Sequence, residues 1–203
     1  MNPVHTITGT MAPLPRANCD TDQIMPKQFL KRVERTGYGE FLFDSWRKSD
    51  PDFVLNRPEY RRAKILVTGP NFGSGSSREH APWGLQDWGF EALIAPSFAD
   101  IFRNNCTKIG LLPVELNAKE VAWLIELAEA DPGAEVVIDL ATQTVSALDG
   151  GHEPRFEARF AIDPYTKWRM QHGLDDVGLT LRHTELIDRF EAARPGFRPR
   201  LTA

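Results

Sequence analysis

Residues 64–116 read KILVTGPNFGSGSSREHAPWGLQDWGFEALIAPSFADIFRNNCTKIGLLPVEL, and the order of elements within them decides the fold class. KILVTG (64–69) is a short apolar run closed by glycine, the pattern of a strand buried on both faces. SREHAPWGLQDW (77–88) reads as a helix, EALIAP (91–96) as a strand, SFADIFRNN (97–105) as a helix and LLPVEL (111–116) as a strand. Strands alternating with helices over short links predict parallel strands joined by right-handed crossovers, hence an α/β fold.

Downstream, Asn117 and Glu120 have the spacing of a capping box. Val121, Leu124, Ile125 and Ala128 share one helical face, and Pro132 and Gly133 stop the run, so a helix is predicted over 118–130. EVVIDL (135–140) and the alternating Phe156, Ala158, Phe160 and Ile162 read as strands. Helical pieces are expected at 165–171 and 185–192, and a frayed tail over 194–203. Upstream, residues 1–63 are punctuated by Pro13, Pro15, Pro26, Gly37, Gly39, Pro51 and Pro58. They read as loop-rich, and residues 28–60 are expected to be mobile because their charge, glycine and proline content leaves little to bury.

The chain has 203 residues, 41% of them hydrophobic, including 12 Phe and 5 Trp, which is enough bulky apolar surface for one core and excludes general disorder. Its 24 Lys and Arg against 28 Asp and Glu give a net charge of −4, so nothing in the balance favours a nucleic acid or an anionic membrane as partner. No continuous apolar stretch reaches membrane-spanning length and no secretory leader is visible, so a cytoplasmic address is the default. Cys19 and Cys106 stand far apart, outside any CxxC or Cys/His array, and the five histidines lack ligand spacing. No metal site is expected on this chain, and the cysteines read as small buried hydrophobes.

The stretch with chemical content is NFGSGSSREH (71–80), a glycine turn between a strand and a helix. Gly73 and Gly75 permit positive φ and let the backbone come close to a ligand, while the following helix start favours an anion. Ser74, Ser76 and Ser77 add hydroxyls, and Arg78 adds a planar fork suited to a carboxylate or phosphate. The lysine of a nucleotide P-loop and the third glycine of a dinucleotide fingerprint are both missing. The alternative is purely structural: Ser76 or Ser77 caps the helix, the glycines make the turn, and Arg78 pairs with Glu79 or a neighbouring carboxylate.

NFGSGSSREHAPWGLQDWGF (71–90), IAPSFADIF (94–102), DTDQIMPKQFL (20–30) and GLDDVGLTL (173–181) together resemble the small-subunit family of the isopropylmalate dehydratases. This family is the detached counterpart of the swivelling last domain of aconitase. The resemblance spans nearly the whole chain. It implies a single three-layer β/β/α swivel domain over 1–203 and a hydro-lyase half-site that isomerises 2-isopropylmalate to 3-isopropylmalate through isopropylmaleate in leucine biosynthesis. It also implies a heteromer with a large subunit that bears a [4Fe-4S] cluster, with no cofactor held by this chain and a small dicarboxylate hydroxy acid as substrate. Homoaconitase and methylmalate or citramalate dehydratase small subunits are the enzymatic alternatives. APSFADIF, the insert through Phe53 to Tyr60 and the GLDDVGLTL ending resemble the leucine-pathway type more closely. A non-catalytic anion-binding module is the alternative of another class.

The resemblance assigns Ser76 as the catalytic alkoxide that removes the proton beside a carboxylate, Ser77 as its hydrogen-bonding neighbour and Arg78 as the carboxylate clamp; the turn itself puts the backbone of Gly73 and Gly75 at the substrate. A serine is too weak an acid to ionise unaided, so the helix terminus and Arg78 would have to lower the cost of negative charge on Oγ. Ser74 stands where the family usually has cysteine, a change read as packing. Residues 20–37 resemble the loop that reaches the variable substrate side chain, with Phe29, Leu30 and Val33 as walls for an isopropyl group. In the alternative local reading, Asp20 and Asp22 cap a short helix and the apolar residues belong to the core.

Overall fold

The computed structural model describes residues 1–31, 34, 36–75, 78–148 and 154–195, and the first strand, β1 (Thr6–Leu14), is the seam of the fold. Its residues 6–10 pair antiparallel with β5 (Glu135–Asp139), and its residues 11–14 pair parallel with β2 (Ile65–Thr68). Pro13, which cannot donate to a ladder, lies past the end of the β5 pairing. This strand is absent from the sequence reading of 1–63 as loop-rich, because Gly9 and Pro13 interrupt the pattern that would reveal it.

On one side of the seam the parallel order continues through β2, β3 (Ala92–Ala95) and β4 (Leu112–Glu115). On the other, the antiparallel order continues through β5, β6 (Thr144–Leu148) and β7 (Pro154–Arg159). The seven strands run β4-β3-β2-β1-β5-β6-β7. The helices in chain order are α1 (Thr21–Ile24), α2 (Asp44–Ser49), α3 (His80–Trp88), α4 (Asp100–Ile109), α5 (Ala118–Ala130), α6 (Pro164–Gln171), α7 (Asp176–Leu181) and α8 (Thr184–Ala192). The βαβαβ order expected for 64–116 is the one observed.

Alternate residues of β2 and β3 supply two cores, as strands covered on both faces must. Leu66, Leu93 and Ala95 pack with Phe72, Leu85 and Phe102 on the α3–α4 side. Ile65, Val67, Ala92 and Ile94 pack with Val121 and Leu124 of α5. That second core also takes in Val136, Ile138, Val145 and Ala158, so the antiparallel strands curl over the same face and form the second β layer of an α/β swivel fold. α5 carries the expected capping box, with Asn117 Oδ1 accepting from the Lys119 and Glu120 N–H groups and Glu120 Oε2 accepting from the Asn117 N–H.

The expectation that residues 28–60 have little to bury is corrected. Tyr38, Leu42, Phe43, Phe53, Leu55 and Tyr60 lie in the first core, each no more than 3% exposed. The segment folds as short helical turns at Lys27–Lys31, Gly39–Phe41, Val54–Asn56 and Pro58–Tyr60 around α2. Its apolar residues follow no single period, which hid them among the prolines and charges. Val33 and most of the tail expected over 194–203, from residue 196 onward, lie outside the described residues. Among the described residues no helix is long and apolar enough to cross a membrane.

Candidate active site

The parallel strands β1 to β4 end together at Leu14, Thr68, Ala95 and Glu115, and the loops that follow the first three converge at that edge. In open parallel sheets this carboxyl edge is where ligands bind. The motif loop after β2 is fastened on both flanks. Towards β1, the Asn18 N–H donates to the Pro70 carbonyl at 2.9 Å and Asn71 Nδ2 to Asn18 Oδ1 at 2.8 Å. The Gly73 and Ser74 N–H groups both donate to the Cys19 carbonyl, at 2.8 and 3.2 Å, and the Thr21 N–H donates to the Ser74 carbonyl at 2.9 Å. Towards β3, the Asn71 N–H donates to Ser97 Oγ at 2.9 Å, the Phe72 N–H to the Ser97 carbonyl at 3.1 Å and the Ala99 N–H to the Phe72 carbonyl at 3.0 Å. Asn18 and Asn71 take left-handed backbone conformations at φ 54° and 57°, which asparagine tolerates.

The two motif glycines serve different needs. A Cβ on Gly73 would stand 2.1 Å from Phe102 Cγ, and its φ is +77°, so the residue is required both by sterics and by backbone conformation. Of the Gly73 backbone expected at the substrate, the N–H is committed to the Cys19 carbonyl. Gly75, at φ +90°, has room for a Cβ, 3.4 Å from the nearest atom, and is required by its backbone angle alone.

Helix α3 starts at His80 with Glu79 at its N-cap, and the Glu79 side chain makes no cap hydrogen bond. The reading in which Ser76 or Ser77 caps the helix falls on positions three and two places before Glu79 in the sequence. Ser76 and Ser77 themselves lie outside the described residues. Arg78 is described, its side chain 18% exposed and paired with the Asp22 carboxylate of α1. That bond is the main reason the Asp22 carboxyl is held below its ordinary value. The carboxylate that holds Arg78 is therefore not the adjacent Glu79 but Asp22, which lies 56 residues away. Capping of α1 falls to Asp20, whose Oδ1 accepts from the Gln23 N–H at 2.8 Å while its own N–H donates to Gln23 Oε1 at 2.9 Å.

Phe29 and Leu30, the expected walls, are half-buried against the first core, and the Phe29 ring stacks on Phe41 with centroids 4.1 Å apart. His80 sits between Tyr38 and Trp83, with ring centroids at 5.3 and 4.7 Å, and burial pushes its pKa down so that it favours the neutral form. Both cysteines are buried, and Cys19 is pushed up to about 12 by desolvation. Among the described residues no three His, Cys, Asp or Glu side chains gather to hold a metal ion. The residue that local reading missed is Asp22 as partner of Arg78. Its only signal in the sequence is the acidic pair in DTDQI, whose target depends on the fold.

Three family models match the chain. The Aconitase C-terminal domain matches residues 1–119, LeuD_N matches 124–164, and the C-terminal domain of the 3-isopropylmalate dehydratase small subunit matches 176–203. The 3-isopropylmalate dehydratase small subunit of Rubrobacter xylanophilus is 54% identical over 201 residues, covering 99% of this chain and 100% of the relative. That of Acidothermus cellulolyticus is 54% identical over 199 residues, covering 98% of each. The crystal structure of a 3-isopropylmalate dehydratase (leuD) from Methanocaldococcus jannaschii has the same fold. It superposes with a TM-score of 0.64 at 23% identity, over 91% of this chain and 99% of that one. With models and relatives matching from end to end, the chain belongs to the family of 3-isopropylmalate dehydratase small subunits.

Proposed function

We propose that this chain is the small half of a heteromeric cytoplasmic hydro-lyase that isomerises 2-isopropylmalate to 3-isopropylmalate, through isopropylmaleate, in leucine biosynthesis. The observation that carries the reading is the position of Arg78. A sheltered guanidinium stands on the motif loop at the carboxyl edge of the parallel strands, in a chain matched over its whole length by small subunits of that enzyme.

In this reading Arg78 grips one substrate carboxylate through its planar fork. Ser76 takes the proton from the carbon beside that carboxylate and Ser77 supports it by hydrogen bonding, with positive charge from Arg78 lowering the cost of the alkoxide. Phe29, Leu30 and Val33 line the space for the isopropyl group. Cys19 and Cys106 are buried as thiols, so this chain does not offer the three thiolates that a [4Fe-4S] cluster with an open iron requires. The cluster belongs to the large subunit, where it supplies Lewis-acid binding of the substrate hydroxyl and a carboxylate. Each of the two chains thus contributes half a site.

The test is anaerobic assembly of this chain with the large subunit of the same organism, its cluster reconstituted, following 2-isopropylmalate consumption and isopropylmaleate absorbance. Activity is expected only in the mixture, and Ser76→Ala should lower it by at least about a hundredfold with assembly intact. A Ser76→Ala complex that keeps wild-type turnover would overturn the assignment of that serine. An assembled complex inactive on 2-isopropylmalate would overturn the substrate.

A further inference from the structure

The carboxylate that holds Arg78 is itself held. Asp22 lies in the first turn of α1, between the two halves of the Asp20–Gln23 capping box. Helix α1 is pinned to the motif loop by the bond from the Thr21 N–H to the Ser74 carbonyl, and Asp20 and Ser74 form a parallel bridge. Asp22 also lies within reach of the Lys27 N–H and charge, and Lys27 opens the turn that carries Phe29 and Leu30. One carboxylate therefore binds the clamp and sits near the start of the turn that carries Phe29 and Leu30.

The two partners are unequally exposed, at 18% for the Arg78 side chain and 51% for Asp22. The contact runs from Nη1 of Arg78 to Oδ1 of Asp22. A guanidinium has five N–H donors in a rigid plane, so a bond through Nη1 leaves the Nε and Nη2 edge to meet a second carboxylate through two parallel bonds. An arginine held at one corner loses less conformational freedom when the ligand arrives than one swinging in solvent.

We propose that Asp22 is a positioning residue that fixes the Arg78 guanidinium, so that its free edge faces the substrate carboxylate. This rests on the reading of Arg78 as the clamp. The contrary possibility is that Asp22 stands in for the substrate carboxylate and must be displaced by it, and the two have opposite consequences for KM.

The experiment is steady-state kinetics on the assembled heteromer with Asp22→Asn, Asp22→Glu, Arg78→Ala and the double variant Asp22→Asn/Arg78→Ala. Assembly is followed by gel filtration. Asp22→Asn should raise KM for 2-isopropylmalate by about tenfold while changing kcat by less than about threefold. Asp22→Glu, which keeps the charge, should recover much of the loss and serves if the asparagine variant fails to assemble. In the Arg78→Ala background Asp22→Asn should raise KM no further, because a positioning residue has nothing left to position. An unchanged KM would overturn the proposal, as would an equal rise without Arg78. A lowered KM would show Asp22 to be the displaced stand-in. Wild-type heteromer without activity on 2-isopropylmalate would instead overturn the underlying reading, and the inference with it.

Discussion

Tyr60 Oη donates a buried 3.0 Å hydrogen bond to the Ala128 carbonyl, tying the last turn of the 28–60 segment to helix α5. Within that helix the Ala128 carbonyl would be served by the N–H four residues on. That residue is Pro132, which has none, so Tyr60 satisfies an orphan acceptor near the helix end. Tyr60→Phe should therefore cost about 1–2 kcal/mol, read as a lower urea midpoint with an unchanged slope. Wild-type stability in the phenylalanine variant would show that water replaces the hydroxyl.

Hydrogen exchange of the isolated chain should divide the 28–60 segment. Amides bonded inside the buried part, among them Phe43 N–H to the Ile24 carbonyl at 2.9 Å and Phe53 N–H to the Asp50 carbonyl at 3.1 Å, are expected to be protected for far longer than Phe29, which lies in a half-buried single turn. Uniformly fast exchange from 38 to 60 would mean that this packing forms only with the large subunit.

The motif glycines should respond unequally to alanine. Gly73→Ala meets the Phe102 ring at 2.1 Å and a φ of +77°, and overpacking with backbone strain together should cost about 2–4 kcal/mol. Gly75→Ala meets only the positive φ and should cost about 1 kcal/mol. Thermal unfolding of the two variants measures the difference, and equal losses would refute the steric part.

Stability should fall in two stages as the solution is acidified. Burial depresses His80 below 6.5, so the folded state binds its proton less readily than the unfolded one, and stability declines as pH drops below that value. Asp22, Asp139, Asp163 and Asp175 are depressed below 3.8, by the Arg78 side chain and by the N–H groups of Thr142, Thr166 and Gly178 respectively. Their stabilising contribution is present above 3.8 and lost as pH falls through the lowered values. Urea midpoints from pH 8 to 2 should show both stages, and His80→Gln should remove the first. A midpoint that stays flat between pH 7 and 5 would contradict the His80 part.

Whatever is built from near neighbours can be read directly along the chain. Helix 118–130 is legible because Asn117, Glu120 and its apolar face lie within a few turns. The strands at 65–68, 92–95 and 112–115 are legible because burial on both faces leaves short apolar runs, with Glu115 the one charge, at the end of the third. The motif loop is legible because its glycines, serines and Arg78 are adjacent in the chain.

The remaining features emerge only once distant segments have come together. Strand β1 serves two ladders, pairing with residues 65–68 on one side and with 135–139 on the other, and nothing local marks a strand by partners so distant. The buried aromatic residues of 38–60 have no period because they join the first core from a string of short turns. Arg78 was visible as a cation, but which carboxylate holds it was not, since Asp22 lies 56 residues away. The physical reason is common to all three cases: a periodic element advertises its own buried face, whereas a contact between distant segments depends on where the completed chain places them.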